Sequence, residues 1–499
     1  MTPDPPVSLW PDPEALGPVT DLYQLTMMAG YAASGIADAR ATFEVFVRRL
    51  PAGRSYLVFA GLEQAVRDVL HLKFTAEQVA YIRSQPAFAA IDPAWFDGLA
   101  RFRFTGDLWS VPEGTVVFAG EPLVRVTAPL AEAQLVETLL LASLGYPTLV
   151  ASKASRIVEA AEGRGVIDFG ARRGHGAYSG FLCARASYLA GFAGTSHVEA
   201  ARRLGIPAFG TMAHAWIQAF GDEPAAFAAF ARSFPSATTL LVDTYDTDQG
   251  VRHAAAIEPP IQAIRLDSGD LLEGSKSARA ILDGLDRRSV KILASNDLNE
   301  TSIAELVAAG APIDAFGVGT ELITSRDAPA ISMVYKLVEL DGTGRIKLSA
   351  GKKTYPLAKQ IHRVTGPDGQ FAFDRVTRAD ETSEGEPLLA PVIEGGRLVA
   401  SLPGLEAIRE RRACQVAALP EGLRGVSAVG TYPIQYSDAL EAEATRLGVR
   451  GAVDLSFTPP TAVDTIRRLA RGVVRIPETT GRGEGRVAFE SPDREVNDP

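Results

Sequence analysis

A chain of 499 residues, 46% hydrophobic and 22% charged, carries enough apolar surface for a large core; this excludes a mostly disordered protein and points to two or three domains. Its 60 acidic against 50 basic residues give a formal charge of −10, which makes duplex nucleic acid and membrane poor candidates for the main partner while leaving room for a local basic pocket that takes a phosphorylated small molecule. The two cysteines, Cys183 and Cys414, form no metal-ligand cluster and fit a reducing cytoplasm, and the start Met1-Thr2-Pro3-Asp4-Pro5-Pro6 does not read as a secretory signal.

Residues 2–19 are proline-rich and read as an arm. Thr20 is placed to cap a helix whose Leu22, Leu25 and Met28 form an apolar stripe, with Asp21 and Tyr23 facing elsewhere. Thr42–Val47 alternates like a strand, Pro51-Ala52-Gly53 turns the chain toward a helix over Gly61–His71, and short β-like runs follow between Phe104 and Val126. Residues 1–130 thus form an N-terminal α+β module. The most apolar tract, near Leu135–Val150, is interrupted by Glu137, Gly145 and Pro147; it reads as too short and broken to span a bilayer, and as two buried helices, Ala131–Leu144 and Pro147–Ala161.

From there to Thr324 the pattern is strand, loop, helix, repeated. Apolar runs stop at polar or small residues in Val166-Ile167-Asp168-Phe169-Gly170, Gly205-Ile206-Pro207-Ala208-Phe209-Gly210, Leu240-Leu241-Val242-Asp243-Thr244, Ile264-Arg265-Leu266-Asp267, Ile292-Leu293-Ala294-Ser295 and Ala315-Phe316-Gly317-Val318-Gly319. Helices are expected over Ala177–Ala190, Val198–Leu204, Ala213–Phe220, Ser275–Leu285 and Asn299–Ala309. Such units bury strands on both faces, so the expected fold is α/β, an irregular, partial TIM-like barrel over residues 131–338. Residues 339–430 read as a β-rich return segment whose strands, Ile346–Ser349 and Lys359–Arg363 around a basic turn, complete the N-terminal module. Residues 431–499 read as a C-terminal extension with a helix near Ser437–Leu447 and a polar tail from Thr479.

The strand ends carry the chemistry. Gly317-Val318-Gly319-Thr320 lets backbone N–H groups approach an anion, and Ser295-Asn296-Asp297 adds polar groups on a neighbouring strand; together they resemble a phosphate cradle. Arg265 and Asp267 alternate along an extended segment, a cation for an anionic group and a carboxylate for ribose hydroxyls or a metal. Phe169 with Arg172 and Arg173 offers an aromatic plate beside guanidinium groups, suited to a flat, negatively charged ring. His214 opens a helix just past a strand end, where α/β proteins present catalytic groups.

In this order Thr-Asp-Leu-Tyr-Gln at Tyr23, Phe169-Gly170-Ala171-Arg172-Arg173, Gly194-Thr195-Ser196, Gly210-Thr211-Met212-Ala213-His214, Asp243-Thr244-Tyr245-Asp246-Thr247, Arg265-Leu266-Asp267-Ser268-Gly269-Asp270 and Phe316-Gly317-Val318-Gly319-Thr320 resemble the nicotinate phosphoribosyltransferase family, from about Asp21 to Arg363. The resemblance implies a barrel of the type II phosphoribosyltransferase kind. It also implies formation of nicotinate mononucleotide and pyrophosphate from nicotinate and 5-phosphoribosyl 1-pyrophosphate, with ATP hydrolysed and Mg2+ required. By the same matching His214 becomes a phosphohistidine oriented by Asp243, and Phe169 stacks on the pyridine ring, helped by Tyr23 of the other subunit of a homodimer. Arg172 faces the carboxylate or product phosphate; Thr195, Ser196, Gly317, Gly319 and Thr320 lie around the phosphoribosyl group; Asp267 holds ribose hydroxyls. Asp21, Arg265, Ser295 and Asn296 complete the candidate set. The sequence departs from the usual family pattern at His197 and at Tyr355-Pro356-Leu357-Ala358. Nicotinamide phosphoribosyltransferase and a non-catalytic metabolite-binding relative are the alternatives; Ser196, where the nicotinamide enzymes place Asp, favours nicotinate, and intact His214 and Asp243 favour catalysis.

Overall fold

The computed structural model describes residues 11–258, 260–347, 354–426, 428 and 430–448. The chain divides into two compact units, 1–452 and 453–499. The second unit, with the tail expected from Thr479, lies outside the described residues, as do residues 2–10 of the proline-rich arm and most of the basic turn.

The first unit is organised around one long helix, Glu137–Ala160, entered through the short helix Leu130–Leu135. The sequence predicts a break at Gly145 and Pro147, and the helix runs through both. Pro147 cannot donate to the Ser143 carbonyl. That carbonyl faces Gly61, where a Cβ would lie 2.1 Å from it, so a glycine from another element makes room for the freed group. The tract is therefore longer and less broken than expected, but it is buried as expected. Leu130–Ala160 is long and apolar enough to span a bilayer by length and composition, and 72% of its apolar window is buried inside the protein.

The helix serves two cores. Leu139, Leu140 and Leu144 join Phe59, Leu108, Leu123 and Tyr335, whereas Val150, Ala151, Ala154 and Ile157 join Phe192, Leu240, Ile292 and Phe316. Full burial of each large apolar side chain contributes roughly 1.5–3 kcal/mol. Along the same helix Ser152 accepts the N–H of Val58 and Thr148 that of Ala60, which satisfies the edge of the short strand Leu57–Val58.

The first core lies against a seven-stranded sheet with Arg40–Val47 near its middle, antiparallel both to Val124–Pro129 and to Met333–Leu340. Asp107–Ser110 and Ala390–Glu394 continue that sheet. Lys359–Thr365 and Phe371–Arg378 belong to a separate four-stranded sheet that includes Ile434–Tyr436, and Ser437 caps the helix Asp438–Arg446. Ile346 and Lys347 lie in no strand, and the remainder of the strand expected there falls outside the described residues. The first helix, Leu22–Ala33, is capped differently from expectation: Thr20 and Asp21 both turn to Thr138, no side chain caps the helix, and Leu22 is exposed while Gln24, Leu25, Met28 and Ala29 are buried.

The second core underlies a six-stranded sheet, parallel throughout, in the order Gly194–Thr195, Gly165–Asp168, Ala315–Val318, Lys291–Ala294, Ala263–Leu266, Thr239–Leu241. The fold is therefore α/β with a parallel sheet. The run Gly205–Phe209 is not a strand but a single parallel bridge between Ala208 and Thr195; Pro207 has no N–H for a ladder. Helices Ala177–Leu189, Val198–Leu204, His214–Phe220, Leu271–Gly284 and Glu300–Ala308 lie close to their expected positions, and Glu223–Ser233 and Thr247–Ala255 are additions to them. Because the strands run in one direction, the residues that follow them share one end of the sheet.

Candidate active site

His214 is the first residue of its helix and keeps a partly exposed ring. Its Nδ1 lies 3.1 Å from the Thr244 hydroxyl, and its Nε2 lies 4.0 Å from Asp267 Oδ2. Asp243, expected to orient this ring, makes no hydrogen bond or ion pair with it among the described residues. Asp243 Oδ2 instead accepts the Asp267 N–H and the Ser268 hydroxyl, both at 2.7 Å. Its Oδ1 is buried with no hydrogen-bond partner among the described residues. The physical reason lies in strand adjacency: Thr239–Leu241 and Ala263–Leu266 run side by side, so the turn after one strand offers its donors directly to the carboxylate after the other.

Asp267 connects several groups. Its Oδ1 lies 2.8 Å from Arg265 Nη2 and accepts the Ser295 hydroxyl, while Arg265 Nε donates to that same hydroxyl oxygen at 2.8 Å. Arg265 also sits over the Phe169 ring, 5.6 Å from its centroid. The ring also packs against Gly317, where a Cβ would meet Phe169 Cδ2 and Cε2 at 2.5 Å. Gly317 is thus needed for ring clearance as well as for any anion approach. Gly319 similarly lies close to the Phe169 carbonyl and precedes the short helix Thr320–Ile323. Asn296 (φ 115°) and Asp297 (φ 44°) are both in the left-handed region, a strained backbone typical of ligand-facing loops.

Arg172 and Arg173 lie in a short 3-10 turn, exposed and in no ion pair among the described residues. Behind that turn is a residue the sequence reading passed over. Asp168 is fully buried; its Oδ1 accepts the Gly170 N–H at 2.8 Å and its Oδ2 the Thr195 hydroxyl at 2.7 Å. Burial pushes this carboxyl above its ordinary range, against the Thr195 and Gly170 hydrogen bonds that favour the charged form. Thr195 is in turn fully committed: its hydroxyl also accepts the His197 N–H, its N–H goes to Pro207 and its carbonyl accepts from Phe209. Its side chain therefore positions the turn from within the core, while Ser196, whose N–H is held by the Asp168 carbonyl, remains partly exposed.

The strand ends carry a histidine, a charge-balanced Arg–Asp–Ser group, an aromatic ring and two cations in no ion pair among the described residues. Family models match most of the chain: the nicotinate phosphoribosyltransferase N-terminal domain matches residues 19–145, the family's main model residues 165–371, and its C-terminal domain residues 381–442. The chain is 47% identical over 436 residues to nicotinate phosphoribosyltransferase pncB2 of Mycobacterium tuberculosis, covering 86% of this chain and 93% of that one. It is 42% identical to nicotinate phosphoribosyltransferase of Bacillus subtilis over 374 residues, 74% of each chain. The chain belongs to the nicotinate phosphoribosyltransferase family. The crystal structure of human nicotinic acid phosphoribosyltransferase superposes with a TM-score of 0.77 at 27% identity, covering 86% of this chain and 100% of that one; nicotinate-nucleotide pyrophosphorylase from Pyrococcus furiosus gives 0.69 at 26%, covering 83% and 97%.

For a nicotinate phosphoribosyltransferase the placement of Asp21 and Tyr23 is informative. Both lie beside the N-terminal end of the long helix, Asp21 accepting from the Thr138 hydroxyl and Tyr23 beside Glu137, and neither joins the strand-end cluster of its own chain. Burial, then Glu137 and Asp21, raise the Tyr23 phenol above its ordinary value, although the ring is half exposed. Thr244 and Asp168 are the two site-shaping residues missing from the sequence-based set. Asp168 had a visible signal, since it ends its strand as Asp243 and Asp267 follow theirs; Thr244 had none beyond adjacency to Asp243.

Proposed function

We propose that this protein transfers the phosphoribosyl group of 5-phosphoribosyl 1-pyrophosphate to nicotinate, giving nicotinate mononucleotide and pyrophosphate in NAD biosynthesis, with ATP hydrolysis coupled through a phosphohistidine at His214. The observation that carries this reading is the His214 ring between the Thr244 hydroxyl and the Asp267 carboxylate. Donation of Nδ1–H to Thr244 leaves the Nε2 lone pair free. That lone pair attacks the γ-phosphorus of ATP, the bond to the β–γ bridging oxygen breaks, and ADP leaves; water later takes the phosphoryl group. Asp243 acts one step back, fixing Asp267 through its N–H.

Phe169 stacks the pyridine ring, with Arg172 and Ser196 near its carboxylate, and Asp267 and Arg265 hold the ribose side. Ser295, Asn296, Gly317, Gly319 and Thr320 line the phosphates. No group of three or more His, Cys, Asp or Glu side chains placed for a metal ion occurs among the described residues. The residues that would hold Mg2+ are Asp243, whose Oδ1 is buried without a hydrogen-bond partner among the described residues, and Asp267, whose Oδ2 faces His214. Bound there, the ion would neutralise charge on the departing pyrophosphate.

Two hydrogen bonds join the Pro207–Phe209 segment to Thr195, and the Thr211 hydroxyl donates to the Thr239 carbonyl, so one segment bridges the first and last strands of the sheet; this supports an irregular, partial barrel. The assembly is a cytoplasmic homodimer in which Tyr23 and Asp21 serve the partner's site. The test is product formation by purified protein from nicotinate or nicotinamide, with and without ATP, together with γ-labelled ATP and alkaline peptide mapping. Base-stable label on the His214 peptide and ATP-stimulated use of nicotinate support the reading. Robust ATP-stimulated turnover by His214→Asn would overturn the phosphohistidine.

A further inference from the structure

Next to the candidate phosphate loops lies a cluster of buried charges that the chemistry above does not use. Lys153, on the second half of the long helix, is 1% exposed. Its Nζ lies 2.8 Å from Glu300 Oε2, 2.9 Å from Asp327 Oδ1 and 3.5 Å from Glu321 Oε2. Arg156, on the same helix, donates from Nε to Glu300 Oε1 at 3.2 Å and from Nη1 to the Gly53 carbonyl at 2.6 Å. Arg54 holds both oxygens of Asp327 at 3.0–3.1 Å and donates to the Ser325 hydroxyl at 2.6 Å. Three buried cations thus face three carboxylates, and the exposed Arg326 also holds Glu321 Oε1 at 3.1 Å. Burial pushes the Asp327 carboxyl upward, but Arg54 and Lys153 together hold it below its usual range.

Such a cluster is a weak source of stability, because desolvating the charges offsets their attraction and well-packed apolar residues would stabilise as much. Its position is more informative. Glu300 opens the helix that directly follows Ser295–Asn299, Glu321 is the second residue of the helix that follows Gly319, and Asp327 lies two residues beyond Ser325. The loops so anchored carry three non-glycine residues in the left-handed region, Asn296 (φ 115°), Asp297 (φ 44°) and Ser325 (φ 42°). Backbone of this kind persists only where its surroundings over-determine it. One ammonium on a rigid helix, within 3.5 Å of a carboxylate next to each loop, has the geometry to do so.

We infer that Lys153, with Glu300, Glu321 and Asp327, is a positioning residue for the two phosphate-binding loops and sets affinity for the phosphoribosyl substrate while leaving pyridine recognition alone. The identity of that substrate rests on the proposed function; the anchoring of the loops does not. Lys153→Met alone leaves a surplus buried carboxylate and is expected to destabilise the fold. Lys153→Met combined with Glu321→Gln restores the buried balance, Arg54 and Arg156 against Glu300 and Asp327, and is the variant to compare with wild type in the full-length chain.

Two measurements decide the inference. Amide hydrogen exchange in the double variant should quicken at least tenfold at 296–299 and 319–327, with 169–173 and 195–197 unchanged. In steady-state assays the KM for 5-phosphoribosyl 1-pyrophosphate should rise tenfold or more while that for nicotinate stays within twofold. Unchanged exchange in both loops, or equal changes in the two KM values, overturns the positioning role. A wild-type enzyme that does not use 5-phosphoribosyl 1-pyrophosphate refutes the proposed function instead, and the exchange comparison still decides the role of Lys153.

Discussion

Replacing Gly317 by Ala puts a methyl group 2.5 Å from two carbons of the Phe169 ring and 3.4 Å from Ser295 Cβ. Carbon atoms pack at about 3.5–4.0 Å, so the ring must move by about 1 Å or more. Its backbone cannot follow, since the Phe169 N–H is bonded to the Val318 carbonyl at 2.8 Å and Gly170 is tied to Asp168. The ring therefore swings about its own side-chain bonds, away from the strand and across the space the pyridine would occupy. A displacement of ~1 Å in a substrate-positioning group costs on the order of 100-fold in rate. Nicotinate kcat/KM should fall by about that factor. Gly210→Ala, where nothing lies within 4 Å of the added carbon, is the control. A folded Gly317→Ala enzyme with wild-type nicotinate kinetics would refute the placement of Phe169 as the ring platform.

Thr244→Val removes the hydrogen bond at His214 Nδ1, worth about 1 kcal/mol, and should slow phosphoenzyme formation roughly fivefold; loss of phosphorylation in Asp243→Asn with no change in Thr244→Val would restore the carboxylate as orienting group. Mixing Tyr23→Ala chains with His214→Ala chains should regain activity in the heterodimer, which keeps one intact shared site, and no recovery despite proven subunit exchange rules out donation across the dimer. Glu121 is fully buried, and burial first, then Asp374 beside it, hold its carboxyl well above its ordinary value of 4.5. A carboxyl raised in the folded state favours folding below its unfolded pKa and loses that contribution as pH rises through the folded one. Thermal melts should therefore show Glu121→Gln gaining stability over wild type progressively above pH ~4.5; a gap independent of pH would contradict the assignment.

Strand positions were readable because five apolar runs, those ending near Asp168, Leu241, Leu266, Ala294 and Val318, are too short for helices and stop at polar or small residues. What the runs do not carry is lateral information. Nothing local to Asp243 says that the neighbouring strand will present the Asp267 N–H to it, nor that Thr244 will be left beside His214. Thr195 looked like a ligand-facing hydroxyl because its small, polar neighbours suggested a loop; its burial follows from Asp168, a residue on another strand. Pro147 misled for the same reason, since the room it needs comes from Gly61. Local chemistry was legible in each case, and the partner that decided its use was distant in sequence.

Asp267 is where the ATP half of the proposed reaction meets the ribosyl half. Phosphorylation of His214 Nε2 brings negative charge within about 4 Å of this carboxylate, a repulsion of ~4 kcal/mol per unit charge at an effective dielectric of ~20. Solvent at the ring, whose side chain is 40% exposed, cuts that toward ~1 kcal/mol. Asp267 cannot simply turn away, because Arg265, Ser295 and the Asp243 tie on its N–H fix it from three directions. Relief then comes from added positive charge, which magnesium-bound 5-phosphoribosyl 1-pyrophosphate would deliver at the same carboxylate. On this hypothesis phosphorylation tightens substrate binding about fivefold, the equivalent of ~1 kcal/mol, and Asp267→Asn abolishes the effect while weakening binding in both states. The measurement is the dissociation constant of 5-phosphoribosyl 1-pyrophosphate with Mg2+, for unphosphorylated and phosphorylated enzyme, in wild type and variant. If Asp267→Asn keeps the wild-type ratio between the two states, the coupling runs through some other group.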